Sequence, residues 1–140
     1  MIILDTNVVS EPLRRDGDPG VVAWLDRHAP ETMFLTTTSL AELLFGIAIL
    51  PDGKRKDGLD TALADLLDKL FGARILPFDR DAARLFARLL AHARVRGRAI
   101  SMADGQIAAI ASVRGFAVAT RDTEPFEALG VPVVNPWKDG

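Results

Sequence analysis

The stretch Met1–Ser10, MIILDTNVVS, decides the fold. Four apolar residues run without a break into Asp5, Thr6 and Asn7. A run that short and that continuous suits a strand covered on both faces, as in a parallel sheet. The carboxylate at its end can serve as a turn former or helix cap, or as one member of a site. Which of these holds depends on whether other acids arrive at the same place.

Four more runs of this kind follow: Phe34–Thr37, Arg74–Phe78, Phe116–Thr120 and Val131–Val134. Helical patterns lie between them, over Val8–Arg14, over Gly20–His28 after Pro19, and over Ser39–Leu50 before Pro51. Leu59–Leu70 and Arg80–Arg96 each carry one apolar face, and Ser101–Arg114 meets a glycine stop at Gly115. Strand–helix alternation predicts an α/β fold with a five-stranded parallel sheet, right-handed crossovers and helices on both faces. The polar segment Leu50–Gly58 (LPDGKRKDG) reads as a loop inside one domain spanning residues 1–140, because no composition shift follows it.

Composition narrows the function classes. The 140 residues are 49% hydrophobic and 26% charged, with a formal net charge of -2. A bulk basic field for nucleic acid is absent, so any such site must be a local patch. With 0 cysteines, disulfides, thiolate catalysis and cysteine zinc sites are excluded. No charged leader precedes MIIL, and no apolar run approaches the ~20 residues of a membrane span. The expectation is a cytoplasmic protein. His28 and His92 have no metal-ligand spacing around them and read as surface helix residues.

In parallel α/β sheets, ligands bind outside the carboxyl ends of the strands. Asp5 and Asp122 both stand there, Asp122 two residues past Thr120. The segments SLAE (Ser39–Glu42) and SMAD (Ser101–Asp104) match the helix-capping signature S-x-x-[DE]. Capping alone would explain both. Two features point further. Glu42 follows the strand ending at Thr37 and so starts its helix at the edge that holds Asp5. Asp104 shares a helix face with Ile107, Ala108 and Ala111, where an unpaired carboxylate is costly and no basic residue sits one turn away. Four carboxylates, with Ser, Thr and Asn oxygens beside them, make a hard-oxygen site suited to Mg²⁺ or Mn²⁺.

These blocks together, ILDTNVVSE, TTTSLAELLFGI, ISMADGQIAAIA and VATRDTEPFEALGVPVVNPW, resemble the PIN-domain family, and most of all its VapC/FitB-type toxins. The resemblance implies an α/β/α sandwich and a metal-dependent ribonuclease acting as the toxin of a toxin–antitoxin module. It places the acidic set on Asp5, Glu42, Asp104 and Asp122, with Asp5, Asp104 and Asp122 as metal ligands and Glu42 positioning water. Thr6, Asn7, Ser39 and Thr120 become supporting residues. Glu124, followed directly by Pro125, is left out of the ligand set. The implied partners are an RNA substrate, a VapB-type antitoxin whose tail covers the acidic pocket, and a second copy of the chain in a homodimer, or a heterotetramer or larger with antitoxin. The amphipathic pattern of Leu59–Leu70 adds to the dimer expectation.

Arg94, Arg96 and Arg98 stand just before the Asp104 helix and read either as favourable charge at a helix end or as a phosphate rail. Lys54, Arg55 and Lys56 read as a solvated loop. Trp24 and Trp137 read as packing anchors. One competing reading is a haloacid-dehalogenase-like phosphatase, but its second carboxylate is replaced by Asn7 and its lysine block is missing. Another is a PIN domain that has lost activity and only binds, against which all four acids are present.

Overall fold

The computed structural model describes residues 1–139. Its strands are β1 (Ile2–Leu4), β2 (Met33–Thr36), β3 (Ile75–Leu76), β4 (Ala117–Ala119) and β5 (Val133–Val134). They form one all-parallel sheet in the order β3-β2-β1-β4-β5. The expected five strands are all present; β2 is shifted one residue toward the N-terminus of its run, and the other four are shorter than theirs. Strand order reverses between β1 and β4, so the crevice at their carboxyl ends is the topological switch point of the sheet.

The helices are α1 (Thr6–Ser10), α2 (Pro19–Asp26), α3 (Thr37–Ala48), α4 (Lys54–Leu70), α5 (Arg80–Val95), α6 (Met102–Arg114), α7 (Glu124–Ala128) and α8 (Pro136–Asp139). The β1 side chains alternate between two cores, as the pleat requires. Leu4 enters a core with Val8, Trp24, Leu43, Ile47 and Leu63, and Ile3 enters one with Ile107, Ala108, Ile110 and Phe126. Helices therefore cover both faces, giving the three-layer arrangement.

Several boundaries move. The Leu50–Gly58 segment is not all loop: α4 starts at Lys54, so Lys54, Arg55 and Lys56 form its first turn rather than a solvated linker. The Lys56 Nζ donates to the Ala48 carbonyl at 3.1 Å, tying α4 to the end of α3. The leucines of α4 complete the monomer's own core, with Leu63 buried and Leu59, Leu66, Leu67 and Leu70 packed around it. The amphipathic face that suggested a dimer is thus already used. His28 follows α2 and is half-buried, with its ring 4.1 Å from that of Trp24, rather than lying on a surface helix. The short helices α7 and α8 have no periodicity long enough to reveal them.

The candidate active site

The site begins with backbone pairing. The Asp5 amide donates to the Ala119 carbonyl at 2.9 Å, extending the β1–β4 ladder one residue past the strand. The Thr120 amide donates to the Val134 carbonyl at 2.9 Å in the same way. These two bonds bring Asp5 and Thr120 face to face, and the Thr120 Oγ1 donates to Asp5 Oδ2 at 2.8 Å in a buried setting. The other oxygen, Oδ1, accepts from the Thr6 amide at 2.8 Å and caps α1. Asp5 thus caps a helix and holds the acidic edge at once. The Thr120 Oγ1 also accepts from the Asp122 amide at 3.1 Å, so one hydroxyl holds both acid-bearing segments. Asn7 Oδ1 accepts from the Arg121 amide at 3.4 Å and closes the link from the other side.

Glu42 comes from α3. That helix is capped three residues earlier than SLAE suggests, by Thr36, whose side chain accepts from the Ser39 amide at 3.0 Å. Ser39 therefore lies inside the first turn, fully buried, with an Oγ that has no partner. Glu42 sits one turn deeper and exposed, where its Oε1 accepts from Thr6 Oγ1 at 2.7 Å. In α6 the expected cap holds, with Ser101 Oγ accepting from the Asp104 amide at 3.1 Å. Asp104 is half-buried at the margin of the packed face, not within it. Its neighbour Gly105 permits this placement: a Cβ there would lie 2.5 Å from Leu90 Cδ1 of α5. A second tie, Thr38 Oγ1 donating to Gln106 Oε1 at 2.8 Å, joins the starts of α3 and α6.

The electrostatics show that the acids act on one another. Burial pushes the Asp5 carboxyl up to about 6, against the hydrogen bonds from Thr120 and Thr6, and the charges of Asp104 and Glu42 add to the rise. Burial also raises Asp104, opposed by its hydrogen bond with Ser101 and reinforced by Asp122 and Glu42. Each of the four carboxylates is coupled to at least one other. None has a cationic partner within ion-pair distance among the described residues.

The donors are all hard oxygens, which suits Mg²⁺ or Mn²⁺. Among the described residues, no three acids or histidines form a ready-made ligand cage. Such a set fits Mg²⁺, which is commonly held by one or two carboxylates and keeps several waters, better than a metal enclosed by protein. The raised Asp5 and Asp104 are the groups that a cation would relieve.

The profile of the PIN domain matches residues 2–131. The chain belongs to the PIN-domain family. A VapC ribonuclease of Sinorhizobium fredii is 47% identical over 138 residues, covering 99% of each chain. The toxin FitB of Neisseria gonorrhoeae is 47% identical over 139 residues, covering 99% of this chain and 100% of that one. The crystal structure of FitAcB from Neisseria gonorrhoeae superposes on this PIN domain with a TM-score of 0.92 at 47% identity, covering 98% and 99% of the two chains. The VapC/FitB resemblance read from the four sequence blocks holds, and the phosphatase alternative falls with it.

The basic residues divide. Arg98 pairs with Glu124 at 3.4 Å, and with Arg96 it lines a cavity of about 550 Å³ that also holds Glu127. Arg94 is exposed on the last turn of α5. A larger groove of about 1030 Å³ starts at Thr6 and Glu42 and runs between α1, α3 and α4. Its floor is Leu13, Leu43, Ile47 and Leu59, and its rim carries Arg14, Arg15, Lys54 and Arg55, with Asp16 3.7 Å from Arg14. Glu11, in the DTNVVSE block, serves the fold: it is buried and its Oε1 accepts from the Asp18 amide at 3.1 Å. No pattern in the sequence singles out Arg121. Its guanidinium lies 5.2 Å over the Trp137 ring, a contact for which the separate TRD and NPW segments give no local signal.

Proposed function

We propose that this PIN domain is a metal-dependent endoribonuclease and the toxin of a toxin–antitoxin pair. The observation that carries the reading is the set Asp5, Glu42, Asp104 and Asp122 at the switch point of the sheet, without cationic partners among the described residues and with Asp5 and Asp104 raised in pKa. The names of the VapC and FitB relatives support it. Asp5, Asp104 and Asp122 would hold Mg²⁺ or Mn²⁺, directly or through water. The ion, when bound, supplies a phosphate-binding charge and a water acidic enough to act as nucleophile. Thr120 fixes Asp5 and the Asp122 segment. Thr6 orients Glu42, which takes or positions the proton of the attacking water. Asn7 holds the Arg121–Asp122 turn in register. No Ser–His or Cys nucleophile is needed.

The antitoxin is the second part of the proposal. The groove beside Glu42 has an apolar floor and a basic rim, which fits an amphipathic acidic segment, and its mouth lies at the acids that such a segment would screen. A homodimer fits the exposed Leu44 and Phe45 of α3 and Ile49 just after it. With antitoxin the assembly would be a heterotetramer or larger. Purified protein incubated with total RNA is the test. Cleavage with Mg²⁺ or Mn²⁺, lost in EDTA and lost in Asp5→Asn, is the expected result. Intact RNA under all conditions would overturn the ribonuclease reading.

A further inference from the structure

Four clustered carboxylates repel a polyanion; a bound metal ion would serve the cleaved phosphate, and the phosphates beside it would be held by a cation fixed close by. Arg96 and Arg98 are poorly placed for this, since Arg98 pairs with Glu124 at 3.4 Å and Arg96 shares its cavity with two glutamates. Arg121 differs. It stands in the chain between Thr120 and Asp122, the two residues joined at the acidic edge. Its backbone is held on both sides: the amide by Asn7 Oδ1 at 3.4 Å, the carbonyl by Asn135 Nδ2 at 3.5 Å.

Its side chain is exposed and makes no ion pair among the described residues, yet it is not loose. The guanidinium rests on the ring of Trp137, itself packed against the core. Asn135 serves both halves of this device, because its Oδ1 accepts from the Trp137 amide at 3.0 Å while its Nδ2 holds Arg121. The NPW segment thus ties a presented guanidinium to the acidic edge. A guanidinium stacked on a ring keeps the N–H groups of its rim available in a planar fork, the shape that binds phosphate oxygens in pairs. Stacking also removes part of the side-chain entropy otherwise lost on binding.

We infer that Arg121, presented on Trp137 by Asn135, grips the substrate backbone at a phosphate next to the one that is cleaved. This rests on the ribonuclease reading. It makes Arg121 a binding residue for the phosphodiester chain, and Asn135 and Trp137 its positioning residues.

The test uses a short single-stranded RNA spanning a cut site mapped with the wild-type protein. KM, kcat and the salt dependence of KM are measured in Mg²⁺ for wild type, Arg121→Ala, Arg121→Lys and Arg114→Ala. Arg114 is exposed at the far end of α6 and controls for net charge. Arg121→Ala is expected to raise KM about ten-fold with kcat within about three-fold, and to reduce the salt slope by about one. Arg121→Lys should restore the salt slope but not KM, because an ammonium lacks the planar fork. Arg114→Ala should match wild type. Because Arg121 is exposed, melting curves of its variants should overlay wild type. An Arg121→Ala protein with unchanged KM and salt slope overturns the inference, as does one that cuts RNA normally but escapes an acidic partner segment. Wild-type protein that cuts no RNA overturns the ribonuclease reading, and this inference with it.

Discussion

Helices α3 and α6 begin with the same S-x-x-[DE] signature and use it differently. In α6 the signature works as a cap, with Ser101 on the amide of Asp104 at 3.1 Å. In α3 the strand ends one residue earlier than its apolar run suggests, and Thr36 takes over capping. Ser39 is then drawn into the buried first turn with an unpaired hydroxyl, and Glu42 is turned toward Thr6. One motif thus sets an acid of the cluster at the capped helix start in α6 and a turn further on in α3. Where the preceding strand stops decides which.

The largest test of this contrast is functional. Asp5→Asn and Asp104→Asn should each reduce RNA cleavage by at least 100-fold, read as kcat/KM, and neither should unfold the protein. Asn at position 5 can still cap α1. Thr6→Val should lower kcat by roughly ten-fold by freeing Glu42, a part of the ~100-fold or more that a general acid–base group contributes. An equal loss from Ser101→Ala would break the contrast, because Ser101 would then be more than a cap.

Next in size is pH. The Asp5 carboxyl moves from 3.8 to about 6 on folding. Between those values the folded chain binds more protons than the unfolded chain, so metal-free stability falls as pH rises through this window. For Asp5 the change is about 3 kcal/mol, and Asp104 acts in the same direction. Urea denaturation in EDTA at pH 4.5 and pH 7 should therefore show Asp5→Asn gaining on wild type at the higher pH. A constant difference between the two proteins would contradict the raised carboxyl.

The smallest effects separate the two helix starts. Thr36→Ala should cost about 1–2 kcal/mol and Ser101→Ala about 0.5–1 kcal/mol, the range of lost N-caps. Ser39→Ala should be neutral within about 0.5 kcal/mol or stabilising, because it removes a buried hydroxyl that bonds to nothing. A cap-sized loss at Ser39 would restore the capping box that the sequence suggests.

Much of this was legible from residues alone. Continuous apolar runs ending in Asp5 and Thr120 carry the sheet and its ligand edge, because a doubly covered strand allows few polar residues until it ends. The acids were legible for the same reason, each following a strand end or starting a helix. Other features were not, because they depend on tertiary contacts. The Leu50–Gly58 segment looks like a loop by composition, yet Lys54–Gly58 is helical because Leu59 and Leu63 pull α4 onto the core. The Arg121–Trp137 pair joins segments that meet only once β4 and β5 pair.

The central claim is that the four acids form one electrostatic unit that a cation completes. Thermal melting of wild type and Asp104→Asn, in EDTA and in excess Mg²⁺, tests it most directly. Without metal, the variant should melt higher than wild type, since it loses one mutually repelling charge. With Mg²⁺, wild type should gain far more than the variant, because binding to the folded state adds stability by mass action. A variant that melts slightly lower than wild type in EDTA and gains equally from Mg²⁺ would contradict the claim and leave Asp104 a helix cap.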